Sequence, residues 1–183
     1  IHKNPLEVTP NFDRLAANGS FVKNSYTCQR VCGPARSVMQ TGKYPSTTGC
    51  FANGRPLPTS EPTLAHYFNE GGYRTGYIGK WHLANSNPVP HDSRGGYSYW
   101  LGSNVLEFTS WPYRTTLFDN ENQPIHLPGY RVDAMTDAAI RFLDHETENP
   151  FFLFLSFLEP HHQNQHDNFP APKGYSERLQ ETS

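Results

Sequence analysis

A chain of 183 residues with 36% apolar content is long enough to bury one sizeable core. Its formal net charge of −2 excludes a strongly basic nucleic-acid surface, and an aromatic content of 14% excludes a disordered chain. No apolar run reaches the length of a membrane span. In chain order, Thr9-Pro10-Asn11-Phe12-Asp13-Arg14-Leu15-Ala16 predicts a capped helix with Pro10 in its first turn and Gly19 closing it. Phe21 to Tyr26 reads as a short extended segment. A helical run from Ala35 to Gln40 follows, with Pro34 at its first position, where a missing N–H costs nothing. Ser60 or Thr63 caps the next helix, whose Leu64, Tyr67 and Phe68 share a face and which ends at Gly71-Gly72. Tyr73 to Ile78 reads as a strand. Residues 85–130 show no period and are expected to run over the surface. Val132, Met135, Ala139, Phe142 and Leu143 mark an amphipathic helix, and the apolar run Phe151 to Phe157, between Pro150 and Pro160, suits a fully buried strand. This alternation predicts an α/β fold, a mixed, mostly parallel sheet flanked by helices. Ligands of such sheets bind beyond the carboxyl ends of the strands.

That rule singles out three places. Cys32-Gly33-Pro34-Ala35-Arg36-Ser37, with Thr41-Gly42 behind it, puts a cysteine close to a helix N-terminus, where backbone N–H groups and the macrodipole favour an anion. Arg36 adds a fixed charge and a planar donor fork. Lys80 and His82 follow the strand ending at Ile78-Gly79, spaced to point the same way on extended chain. Glu159, His161 and His162 follow the apolar strand. A nucleophile precursor beside an anion cradle points to chemistry on sulfate or phosphate. The cysteines Cys28, Cys32 and Cys50 are odd in number; a Cys28–Cys32 or Cys28–Cys50 disulfide stays open. A zinc site lacks the paired C-x2-C spacing.

The first string resembles the sulfatase signature C-x-P-x-R with its trailing T-G; Ala35 stands where the family more often has Ser. Gly72-Tyr73-Arg74-Thr75-Gly76-Tyr77-Ile78-Gly79-Lys80-Trp81-His82-Leu83 is similar to the second signature, G-Y-x-T-x-x-x-G-K-x-H. Ser156-Phe157-Leu158-Glu159-Pro160-His161-His162-Gln163 resembles the family's strand-then-P-H element, with His161 in the matching place. His162, Gln163 and His166 either line the substrate pocket or lie on a solvated loop. His66, His91, His126 and His145 match no motif and are expected on the surface or on helix faces.

The resemblance implies a sulfuric ester hydrolase of the alkaline-phosphatase-like superfamily. Cys32 would be oxidised to formylglycine by a maturation enzyme, and one hydroxyl of its hydrate would attack sulfur. The resulting covalent sulfo-enzyme then releases sulfate with help from His82. Arg36 and Lys80 would stabilise charge, and His161, with Lys80 and His162, would meet the substrate sulfate or its leaving oxygen. The substrate would be a sulfated small molecule or carbohydrate. Tyr97, Tyr99, Trp100, Trp111 and Tyr113 serve as sugar-stacking faces or as core.

The family also implies a divalent cation, usually Ca2+, which takes six or more oxygen ligands. In this sequence Cys32 alone stands in a metal-ligand motif, and Asp13, Asp92, Asp119, Asp133, Asp137, Asp144 and Asp167 do not. Residues 1–183 are therefore expected to be part of a single catalytic domain, without its first strand and C-terminal portion, and inactive alone. The chain starts at Ile1 without a methionine and shows no signal peptide, so its true N-terminus is expected to lie upstream, and the resemblance leaves the compartment open among periplasmic, extracellular and lysosomal. A phosphonate or phosphodiester hydrolase of the same superfamily is one alternative. A non-catalytic binder of sulfated glycans is another, and the joint presence of Cys32, Arg36, Lys80, His82 and His161 argues against it.

Overall fold

The computed structural model describes residues 8–145, 148–162 and 169–180, in two compact units, 28–170 and the combination of 1–27 with 171–183. In the second of these, helix α1 (Pro10–Asn18) forms where Thr9 and Pro10 predict it, with Asp13 N–H donating to Thr9 O at 3.0 Å. It buries none of its residues. The extended segment expected at 21–26 is not a strand: Phe21, Val22 and Tyr26 are exposed, and no described strand pairs with them.

The larger unit begins with α2 (Cys32–Thr41), closed by Gly42 in left-handed backbone, and a single turn, α3 (Pro45–Thr48). Helix α2 starts two residues earlier than expected, which makes Cys32 its first residue and Pro34 its third. The first four N–H groups of a helix have no partner within it, so proline is tolerated throughout that turn. Thr63 caps α4 (Leu64–Glu70), and its N–H donates to His66 Nδ1 at 3.1 Å, which gives that histidine a capping role.

Strands β1 (Arg74–Lys80) and β2 (Tyr99–Ser103) come next, then a turn of helix, α5 (Leu106–Thr109), and a hairpin of β3 (Thr115–Phe118) and β4 (Pro124–Leu127). Helix α6 (Arg131–Leu143) and strand β5 (Phe151–Ser156) complete the unit, and α7 (Tyr175–Gln180) belongs to the smaller one. The sheet order is β4-β3-β2-β1-β5; β1 pairs in parallel with β2 and β5, whereas β3 runs antiparallel to both its neighbours.

Residues 85–130 are thus not a surface excursion, because they supply three of the five strands. Their missing period has a physical cause: β2 is buried on both faces, and such a strand carries no polar alternation. Successive residues serve two cores. Ile78 and Leu101 join Leu106, Leu117, Met135 and Phe142 on one face, while Tyr77 and Trp100 join Trp81, Tyr97 and Val89 on the other. On α6, Met135, Ala139 and Phe142 face the core as predicted; Val132 is half-buried and Leu143 is exposed. Strand β5 is not fully buried. Phe151 is exposed and residues 152–155 are half-buried, because β5 ends the order of described strands and β1 covers only one of its edges.

Candidate active site

Parallel pairing brings the carboxyl ends of β1, β2 and β5 to one edge, with Lys80 beside Ser103 and Gly79 beside Ser156. Helix α2 is tied to that edge through Arg36, one turn beyond Cys32. Its Nη1 donates to Lys80 O at 2.7 Å and to Ser156 Oγ at 2.6 Å, and Ser156 Oγ donates in turn to Lys80 O at 2.9 Å. The Tyr77 hydroxyl donates to the same carbonyl, and burial pushes its phenol up, so it stays protonated. Gly33 makes the close approach possible: a Cβ there would meet Asn53 Oδ1 at 3.2 Å and His82 O at 3.5 Å. Gly33 N–H donates to Asn53 Oδ1 at 2.9 Å. Half-buried Cys32, one residue earlier, therefore opens α2 beside residues 80–82.

Past Lys80 the chain crosses to β2, with Trp81 N–H donating to Ser103 O at 2.8 Å and His82 N–H to Asn104 O at 2.7 Å. His82 stands in left-handed backbone, φ 57°, a strained state for a non-glycine residue and one that clusters at active sites. Its Nδ1 is buried with no hydrogen-bond partner among the described residues. Burial, with the positive charges of Lys80, Arg36 and His161, outweighs the pull of Glu107 and lowers its pKa to about 4. The ring is neutral at pH 7, with one nitrogen unprotonated. Lys80 is almost fully buried, and its Nζ pairs with Glu107 Oε1 at 2.7 Å. That pairing draws the Glu107 carboxyl below its usual value in spite of burial.

His161 lies within electrostatic reach of both His82 and Glu107. Its N–H donates to Leu158 O at 3.0 Å, and its Nδ1 sits 2.6 Å from His162 O. The turn carrying it is held by the buried Arg131, whose Nε donates to Glu159 Oε1 at 2.8 Å. Cys32, Arg36, Lys80, His82 and His161 thus share one edge of the unit. His162 sets its ring edge-on to Phe169, 5.1 Å between centroids; Gln163 and His166 lie outside the described residues.

The other expectations resolve simply. All three cysteines carry free thiols, so neither disulfide forms; Cys50 is buried and donates to Arg55 O at 3.0 Å. His91, His126 and His145 are exposed. Tyr97 and Trp100 are core residues, Tyr99 packs on Phe142, Trp111 is half-buried, and Tyr113 is exposed beside Tyr130. Among the described residues no three His, Cys, Asp or Glu side chains gather as a metal site, and no helix is long and apolar enough to cross a membrane. Glu107, Ser156, Asn53 and Asn104 are the contributors that sequence reasoning missed. A lone acid inside Val105-Leu106-Glu107-Phe108 was the available signal for the first.

The Sulfatase family profile matches residues 1–182. The ulvan-active sulfatase of Formosa agariphila is 34% identical over 164 residues, covering 86% of this chain and 31% of that protein. BT4656, solved in complex with its substrate D-glucosamine-2-N,6-O-disulfate, superposes with a TM-score of 0.69 at 29% identity, over 80% of this chain and 28% of that one. The yidJ protein of Bacteroides fragilis shares the fold at a TM-score of 0.80 and 21% identity, over 96% of this chain and 43% of that one. The fold is that of solved alkaline-phosphatase-like sulfatases. The chain spans about a third of the length of the curated relatives it matches. A match running nearly end to end, over the strings that meet at one sheet edge, establishes that this chain belongs to the sulfatase family.

Proposed function

We propose that the protein carrying this chain hydrolyses sulfate esters of a sulfated carbohydrate at the edge formed by α2, β1 and β5. The observation that carries the reading is the clamp of Arg36 onto Lys80 O and Ser156 Oγ, which holds the start of α2 against the Lys80–His82 segment. Family membership supports the reaction class. The carbohydrate class rests on what two similar proteins are named or solved with, ulvan in one case and a glucosamine disulfate in the other.

Cys32 suits conversion to formylglycine by a maturation enzyme: it is half-buried, heads a helix, and has Pro34 and Arg36 at the required offsets. So converted, it would supply a hydrated aldehyde as the nucleophile toward sulfur. Around it, His82 holds an unprotonated nitrogen at neutral pH and serves as the base. Lys80 brings positive charge to the sulfuryl oxygens, and Arg36 fixes where that charge stands. His161 donates a hydrogen bond or proton to the leaving oxygen. The resemblance also implies calcium, but the described residues do not make up a calcium site, with Cys32 as the one candidate ligand in a recognised motif.

The test begins with peptide mass spectrometry across Val31 to Arg36 of protein made alongside a maturation enzyme. The expected result is conversion at Cys32 and none at Cys28 or Cys50. In the complete protein, Cys32→Ala should abolish turnover of p-nitrophenyl sulfate, and Lys80→Ala and His82→Ala should each cost about two to three orders of magnitude. An unmodified Cys32, or wild-type kinetics in His82→Ala, overturns the corresponding assignment.

A further inference from the structure

We infer that Glu107 is a positioning residue for Lys80, holding the buried ammonium at the sheet edge where the sulfate ester would dock. This deepens the reading above and rests on it. The pair is a dry one: the Lys80 side chain is 1% exposed, the Glu107 side chain 7%, and Nζ lies 2.7 Å from Oε1. A lysine taken out of water keeps its charge only beside a compensating one. With one of its three N–H groups committed to Glu107, the other two are left with fixed directions.

Glu107 is itself held in place. It sits on α5, directly after β2, with neighbour Leu106 fully buried in the core that contains Ile78 and Met135. The last residue of α5 is braced on two sides: Thr109 Oγ1 lies 3.0 Å from Ser103 Oγ and donates to Thr116 O at 3.1 Å. The carboxylate is thus attached to the carboxyl end of β2 and to β3, and it reaches Lys80 at the end of β1. Its second oxygen, Oε2, is buried with no hydrogen-bond partner among the described residues. Of the charged groups acting on His82, namely Lys80, Arg36, His161 and Glu107, Glu107 is the anion. Its hydrogen bond goes to Lys80, the charge it holds in place.

The experiment compares kcat and KM for p-nitrophenyl sulfate in the complete, matured protein across wild type, Glu107→Gln, Glu107→Asp, Lys80→Ala and Glu107→Gln/Lys80→Ala. Loss of the anchor should lower kcat in Glu107→Gln about tenfold to a hundredfold, by analogy with the loss seen when the hydrogen-bond partner of a metal ligand is removed. KM should change by less than about threefold. Glu107→Asp should fall between that variant and wild type. The double variant should be no worse than Lys80→Ala, because Glu107 acts through Lys80. An impaired Lys80→Ala beside a Glu107→Gln with wild-type kcat, or with a loss that multiplies onto that of Lys80→Ala, overturns the positioning role and leaves the sulfatase reading standing. A wild-type kcat in Lys80→Ala removes Lys80 from the reaction and overturns the positioning role with it, whereas a matured wild-type protein without turnover overturns the sulfatase reading instead. Where Glu107→Gln does not accumulate as folded protein, Glu107→Asp carries the test, since it keeps the charge and withdraws it by one methylene. There, a drop in kcat of about threefold or more at unchanged melting temperature supports the role, and a smaller one overturns it.

Discussion

Three glycines of the β1 region let the cost of the approach between β1 and β5 be separated into its parts. Gly72 has φ +79° and nothing within 4 Å of an added Cβ, so Gly72→Ala should cost the left-handed backbone alone, about 1–2 kcal/mol. Gly76 has ordinary backbone, and a Cβ there would fall 2.6 Å from the Phe142 ring. A ring can yield, and Gly76→Ala should cost the overpacking, about 1–3 kcal/mol. Gly79 combines both effects. Its φ is +112°, and a Cβ would lie 2.0 Å from the Ser156 carbonyl oxygen and 2.6 Å from Met135 Cε. The first obstacle is backbone of the paired strand, which cannot retreat without disturbing the Arg36 clamp on Ser156 and Lys80. Gly79→Ala should therefore cost about 3–5 kcal/mol, a large part of the roughly 5–15 kcal/mol that holds a typical domain folded. Denaturant unfolding of the three variants gives the midpoints, with an unchanged slope as the control that the unfolded state is the same. A Gly79→Ala variant within about 0.5 kcal/mol of Gly72→Ala would refute the argument that the strands meet too closely for a side chain.

Two further outcomes follow from the same geometry. Because His82 is held neutral down to about pH 4, its titration, followed by NMR, should fall near 4, well below the ordinary histidine value of about 6.5. Between those values the unfolded chain takes up a proton that the folded one does not, so this residue's contribution to stability is complete above about 6.5 and is lost as pH falls toward 4; a midpoint near 6.5 contradicts the burial described for the ring. Native labelling with iodoacetamide should modify exposed Cys28 readily and leave Cys50 untouched, since burial raises its thiol and the thiolate is the reactive form. Labelling of Cys50 at the Cys28 rate would show that the core around it opens.

How much of this was legible in the sequence depends on the range of the forces involved. Caps, turns and amphipathic faces are local, and Thr63, Met135, Ala139 and Phe142 do what their spacing implies. The positions of Cys32, Lys80, His82 and His161 at strand ends and a helix start were legible for the same reason. The strands within 85–130 were not. Tyr99-Trp100-Leu101-Gly102-Ser103 is covered on both faces, and its burial shows only in three dimensions. The apolar run of β5 misled in the opposite direction, because a continuous hydrophobic string does not state how many of its neighbours are present.

Lys80 and His82 show where local rules stop. The alternation of extended chain does not carry from one to the other, because β1 ends at Lys80 and His82 stands in left-handed backbone. For Lys80 itself alternation still works one step back: it shares the parity of Ile78, whose face of the sheet includes Leu106. The residue after Leu106 is Glu107, and its carboxylate meets Lys80 Nζ at 2.7 Å. Parity places the lysine on a face, and the pairing itself shows only once α5 is folded against the end of β2. What hid it was the missing period of β2, the consequence of its burial on both faces, which left no sequence signal that a helix carrying Glu107 would fold against the end of that strand.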